Sequence, residues 1–264
     1  MALLLSACIR GGFDGQPLDM AQAQELTSPS DFQVHEGPSV TDGLLVDRGN
    51  IGGDVEHPPP TTLLMADDFD DSELNEEKWW SYTDVGTSFL QEGGHLSFVL
   101  PANDTNCTVV KGCYTGIGSW QRFSFVNTRV QVEAVQITNE VLEADTGLYI
   151  TVIEAGEVIG TYGVFVTEQS INFGYQPLST KVWDLINISY DSTNHRFWRI
   201  AHQESDNTIR FLTSPDGTRW TTARIMQNQV DLGEVEFSIE AGIWAAVPQY
   251  SATFDNFRAE HVAP

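Results

Sequence analysis

The sequence predicts an all-β fold, an antiparallel two-sheet sandwich that follows an irregular N-terminal stretch. Three observations predict it. Short segments rich in β-branched and aromatic residues recur from about Leu63 onward, each bounded by Gly, Asn, Asp or Pro. Helical periodicity is sustained almost nowhere, and no glycine-rich phosphate loop or strand–helix alternation occurs, which excludes an α/β nucleotide-binding fold. Tight-turn signals separate the segments at the spacing of a sandwich or barrel.

The chain starts with Met1-Ala2-Leu3-Leu4-Leu5-Ser6-Ala7-Cys8. A spanning helix needs about 20 apolar residues, so this run is too short to cross a bilayer. Leu5-Ser6-Ala7-Cys8 resembles the lipobox of bacterial lipoproteins, which implies a lipidated Cys8 and attachment to the outer membrane or cell surface of a bacterial envelope. No charged segment precedes the apolar run, so the expectation is that the true start lies upstream and Met1 is internal. Residues 1–8 are therefore read as the remnant of a signal peptide.

Residues 9–62 carry nine acids and two bases, with Gly, Pro, Ser and Gln but few clustered apolar positions, and they include Pro58-Pro59-Pro60. Such a stretch buries too little surface to offset its chain entropy. It is expected to be a disordered acidic tether, with His35 and His57 as solvated loop residues. The folded domain is expected over 63–264.

Within that domain, SELNEEKWW (72–80) is the one segment suited to a turn or two of helix, with Ser72 as its cap. The expected strands are 95–100, 129–138, 146–154, 162–168, 171–176, 183–191, 196–203, 208–214 and 234–244. In RVQVEAVQI, period-two alternation puts Val130, Val132 and Ala134 on one face and Gln131 and Glu133 on the other. The run 195–225 divides into three strands at Ser205-Asp206-Asn207 and Ser214-Pro215-Asp216-Gly217. Pro fixes φ and Gly tolerates positive φ in that second reversal.

Charge bounds the function. There are 13 Lys+Arg against 37 Asp+Glu, a net charge of −24. Nucleic-acid binding needs a basic surface and is excluded as an expectation. The same repulsion leaves a covalent lipid as the route to a membrane. Of three cysteines, Cys8 is assigned to lipid, leaving Cys107 and Cys113 close together in NCTVVKGCYTG. A disulfide between them is favoured over two reduced thiols, and two cysteines without histidine support make a poor zinc site.

Three stretches, MADDFDDSELNEEKWW (65–80), QEGGHLSF (91–98) and SATFDNFRAE (251–260), stand in the order and spacing of a concanavalin A-like lectin/glucanase jelly roll. The chain resembles that family over about 63–262. The resemblance implies a possible structural calcium ion held by Asp67 or Asp68, Gly94 and Asp255, and no other cofactor. In the laminarinase- and lichenase-type enzymes of this fold, a Glu-x-Asp-x-Glu strand presents three carboxylates on the concave face. No such triplet occurs here. Glu133, Glu154 and Glu168 are read as solvated strand residues, and no Ser or His has the partners of a nucleophilic triad.

The expectation is therefore a protein without catalysis that binds a glycan or a cell-surface partner. Phe197, Arg199, Trp120 and Tyr250 are its candidate contacts, because aromatic faces hold sugars. Trp198, Trp220 and Trp244 are read chiefly as core. The alternatives are a carbohydrate-active enzyme with displaced carboxylates and a structural envelope component.

Overall fold

The computed structural model describes residues 60–108, 112–138, 141 and 143–263. Cys8 and the segment up to residue 59 lie outside the described residues. Among the described residues there is no α-helix, and the strands form two antiparallel sheets.

The eight-stranded sheet runs β13 (Thr221–Gln227), β12 (Thr208–Ser214), β11 (Phe197–Gln203), β6 (Thr128–Ile137), β15 (Tyr250–Val262), β4 (His95–Leu100) and β3 (Ser88–Glu92). The first strand, β1 (Thr61–Asp67), pairs with the second half of β15, whose first half pairs with β4. The seven-stranded sheet runs β10 (Asp184–Ser189), β9 (Ser170–Pro177), β8 (Glu157–Thr167), β7 (Ala144–Glu154), β14 (Val235–Ile243), β5 (Cys113–Ser119) and β2 (Trp79–Thr83). Strands far apart in sequence lie side by side, β6 with β15 and β7 with β14, which is the connectivity of a jelly-roll sandwich.

The core forms where the apolar rows of the two sheets meet. Val130 and Val132 of β6 and Trp198 and Ile200 of β11 face Leu148, Ile150 and Val152 of β7 and Phe237 and Ile239 of β14, all fully buried. Each such side chain contributes about 1.5–3 kcal/mol relative to exposure. Phe254 joins them, edge-on to Phe98 at 6.0 Å and to Trp198 at 5.7 Å. Trp79 packs edge-on to Phe257 at 4.9 Å, and its indole N–H donates to the buried Asp67 carboxylate at 2.9 Å. That bond ties the end of β1 to the start of β2, in the opposite sheet.

Residues 72–80 make one turn only. The amides of Lys78 and Trp79 both donate to the Asn75 carbonyl at 3.0 Å, and Asn75 Oδ1 accepts the Glu77 amide, so Asn75 caps in place of Ser72. The turn ends because Trp79, 1% exposed, is drawn into the core and starts β2. Residues 195–225 form the expected three strands, with Asn207 and Gly217 at positive φ in the two reversals. Cys107 and Cys113 form the expected disulfide, with Cα atoms 5.2 Å apart.

Glu133 departs from its expected solvation. It is 4% exposed, ion-paired with Arg196 and bonded by the Asn256 side-chain amide at 2.7 Å. A bulge in β15 between Asp255 and Arg258, with Asn256 at φ 50°, swings that amide over it. Glu154 and Glu168 are exposed as expected.

Candidate functional site

Alternate residues of a strand point to opposite faces. In β7, Leu148, Ile150 and Val152 enter the core, so Asp145, Gly147, Tyr149 and Thr151 face away from it. On a flat sheet those residues meet solvent. Here Asp145 is 6% exposed, Tyr149 9%, and Phe165, beside them on β8, fully buried. The outer face of the seven-stranded sheet is a hollow.

Its floor is aromatic because its strands are rich in glycine. Gly116 and Gly118 of β5, Gly242 of β14, Gly147 of β7 and Gly163 of β8 share this face through the strand register. A Cβ added to Gly118 would stand 2.4 Å from the Trp80 ring, and one on Gly242 2.2 Å from Tyr114. Gly116 lies under Tyr82 at 2.9 Å, and Gly147 and Gly163 both lie under Tyr149. The rings therefore rest directly on backbone, which only glycine permits. Trp80 and Tyr82 stack at 5.6 Å at one side of the hollow, and Phe165 and Trp183 meet at 5.1 Å at the other. The buried Trp183 indole N–H has no hydrogen-bond partner among the described residues.

Two carboxylates stand between these aromatic groups. Glu240 of β14 lies opposite Gly147 on one side and Gly116 on the other, and Asp145 lies opposite Gly242. They are diagonal neighbours, their Cβ atoms roughly 7 Å apart or less by sheet geometry. Ser238 Oγ donates to Glu240 at 2.7 Å, and the Tyr82 hydroxyl also bonds it. Burial, and then the charge of Glu240, push the Asp145 carboxyl up to about 8. Burial raises Glu240 as well, but its bonds from Ser238 and Tyr82 oppose the shift. Burial also pushes the Tyr82 and Tyr149 phenols well above their ordinary value. At neutral pH Asp145 keeps its proton.

This pair was not among the expected site residues, although part of the triplet pattern is present. Glu143-Ala144-Asp145-Thr146-Gly147 keeps the first two carboxylates of Glu-x-Asp-x-Glu and has glycine at the third. Glu240, opposite Gly147 on the adjacent strand, supplies a carboxylate beside that third position. The expected strand began at Thr146, two residues late, and so left Asp145 in a loop.

The structure does not bring the four expected contact residues together. Phe197 and Arg199 lie on the outward face of the other sheet, where Arg199 stacks on Trp220 at 3.6 Å. Trp120 is 63% exposed, just beyond the end of β5. Tyr250 is 2% exposed and sits in the core. Of the residues expected around calcium, Asp67 is committed to Trp79 and Lys78, and Asp68 accepts the Asp70 amide. Asp70 Oδ1 approaches Gly94, lying 2.7 Å from where a Cβ on that residue would stand, and its charge raises Asp255 after burial and Glu133. No cluster of three or more His, Cys, Asp or Glu side chains suited to a metal ion occurs among the described residues.

No family model matches the sequence, and no curated protein matches it. The fold does have solved counterparts. The catalytic domain of an endo-1,3-β-glucanase (laminarinase) from Thermotoga petrophila aligns with a TM-score of 0.58 at 7% identity, over 78% of this chain and 100% of that one. A prokaryotic β-1,3-1,4-glucanase (lichenase) from a mouse hindgut metagenome aligns with a TM-score of 0.56 at 10% identity, over 75% and 99%. A non-specific endo-β-1,3(4)-glucanase from family GH16 aligns with a TM-score of 0.57 at 11% identity, over 78% and 94%. Identities this low establish the fold, a concanavalin A-like jelly roll, as the sequence resemblance implied.

They also correct the expectation of a protein without catalysis. That expectation rested on the missing triplet strand. The three solved structures named above are glucanases, and the hollow holds a carboxylate pair that no single strand spells out.

Proposed function

We propose that this chain is a glycoside hydrolase that cleaves a glycan lying across the seven-stranded sheet. Asp145 acts as the acid and Glu240 as the nucleophile. One observation carries the reading: two carboxylates in one aromatic hollow, Asp145 held protonated at neutral pH by burial and Glu240 accepting bonds from Ser238 and Tyr82, which favour its charged form. Glycosidic cleavage needs those two states side by side, one group protonating the leaving oxygen while the other attacks the sugar carbon.

The surroundings suit the substrate. Trp80 and Tyr82 on one side of the pair, and Trp183 backed by the buried Phe165 on the other, offer ring faces to the C–H sides of sugars. The unpartnered Trp183 N–H offers a donor to a hydroxyl. The net charge of −24 favours an uncharged chain in this cleft over a polyanion. The glucanases that share the fold make β-linked glucans the first substrates to try, and the human gut microbial O-glycanase with a TM-score of 0.58 at 13% identity adds mucin O-glycans. A structural calcium ion beside Asp70, Gly94 and Asp255 belongs to the same reading, and supplies rigidity to the sheet edge rather than chemistry.

The test is release of reducing ends from laminarin, mixed-linkage glucan and mucin O-glycans by the full chain. Asp145→Asn and Glu240→Gln are each expected to lower the rate by at least about a thousandfold while the protein stays folded. Glu143→Gln serves as a third arm. Activity near that of the unsubstituted protein upholds the assignment of Glu240, whereas a loss as deep as the others transfers the nucleophile to Glu143. No release from any of these glycans, with the fold intact, overturns the reading.

A further inference from the structure

We infer that the eight-stranded sheet carries, on its outward face, a second glycan site that recognises the carboxylate of an acidic sugar. The inference does not depend on the hydrolase reading.

Strand register sets out the site. Arg258 of β15 lies opposite Gln131 of β6, and Gln131 lies opposite Arg199 of β11. Two residues along, Glu260 lies opposite Arg129. Glu260 holds both Arg129, at 2.7 Å, and Arg258, while Glu133 holds Arg196. Three guanidinium groups thus share two carboxylates, on a molecule whose acids outnumber its bases 37 to 13. Among the described residues, no carboxylate lies within ion-pair distance of Arg199. It lies flat on Trp220 at 3.6 Å and donates from Nε and a terminal nitrogen to Gln131 Oε1. Burial, and then the charge of Arg129, lower its pKa. A half-buried cation facing like charges is stabilised by an incoming anion.

A depression of about 540 Å³ adjoins this row, lined in part by Arg258, Gln131, Lys78 and Phe197. Of the three acids on its wall, the exposed Asp68 accepts the Asp70 amide and the other two are committed to stronger partners. Asp67 is held by Trp79 and Lys78, and Asp216 by the amides of Thr218 and Arg219 and the Arg219 side chain. A carboxylate matches the planar donor fork of arginine, and Phe197 supplies an apolar wall for the sugar ring.

The experiment titrates the full chain at low salt with glucuronate, N-acetylneuraminate and the neutral isostere glucuronamide, following tryptophan fluorescence. The expected result is a saturable change with at least one of the acids and none with glucuronamide. The response should weaken at least fivefold in Arg199→Gln and in Arg258→Gln, and persist in Glu240→Gln. Thermal melts of the two arginine variants check that each is folded. Equal response to acid and amide, no response to either acid, or binding undiminished in both folded arginine variants overturns the inference. A response lost only in Glu240→Gln places the acid in the hollow and overturns it too.

Discussion

Asp145 opposes folding at the pH where it is needed. Its folded pKa, about 8, stands above the ordinary carboxylate value. Below about pH 4 both folded and unfolded chains carry the proton, and the group is neutral to stability. Between about pH 4 and 8 the unfolded chain releases it while the folded chain retains it, so stability falls as pH rises. Asp145→Asn removes that penalty. Calorimetry is expected to show the variant melting higher than the unsubstituted protein at pH 8, with the gap narrowing toward pH 4. A gap that widens on acidification would contradict the assignment. If Asp145 is the acid of the proposed hydrolase, the same titration should set an alkaline limit on hydrolysis near pH 8, where it loses its proton. Tyr82→Phe removes one of the two bonds to Glu240 and is expected to move the acidic limb of the rate profile upward.

At the scale of the element, the seven-stranded sheet depends on glycines where a strand ordinarily carries side chains. Gly118 in β5 lets Trp80 lie flat, and its β-carbon would stand 2.4 Å from that ring. Trp80 is only half-buried and has room to swing outward, so Gly118→Ala should leave the melting temperature within a few degrees. Loss of one aromatic platform, worth about 1–1.5 kcal/mol, should lower kcat/KM roughly tenfold. A full-rate variant with a displaced Trp80 would remove that ring from the site. The strand CYTGIGS was hard to read for the same reason, since its glycines argue against a strand until the aromatic neighbours are known. The boundary of β7 was the costlier miss. Thr146 opens its evident apolar alternation, yet pairing with β14 extends the strand to Ala144 and brings Asp145 onto the hollow face.

The whole molecule combines a sandwich core with a high negative charge. The folded acids repel one another, and the calcium ion proposed above would relieve part of that repulsion near Asp70 and Asp255, at the edge where β15, β4 and β3 meet. Chelation is therefore expected to lower the melting temperature by several degrees, with recovery on adding calcium but not an equal ionic strength of sodium. A melt indifferent to chelator would remove calcium from the account. The Cys107–Cys113 bridge closes a short loop at the entrance to β5, and its constraint on the unfolded chain is worth about 2 kcal/mol.

The all-β class, most of the strands and the disulfide are legible in the chain before it folds. Each of these is written locally, in period-two alternation, turn residues and the closeness of two cysteines. The site comes into being only when distant strands pair. Asp145 and Glu240 are 95 positions apart in the chain, and pairing of β7 with β14 makes them neighbours. The proton that Asp145 keeps then follows from burial that no local pattern encodes. The same holds for Glu133, whose place in an alternating strand promised solvent until a bulge in β15 covered it.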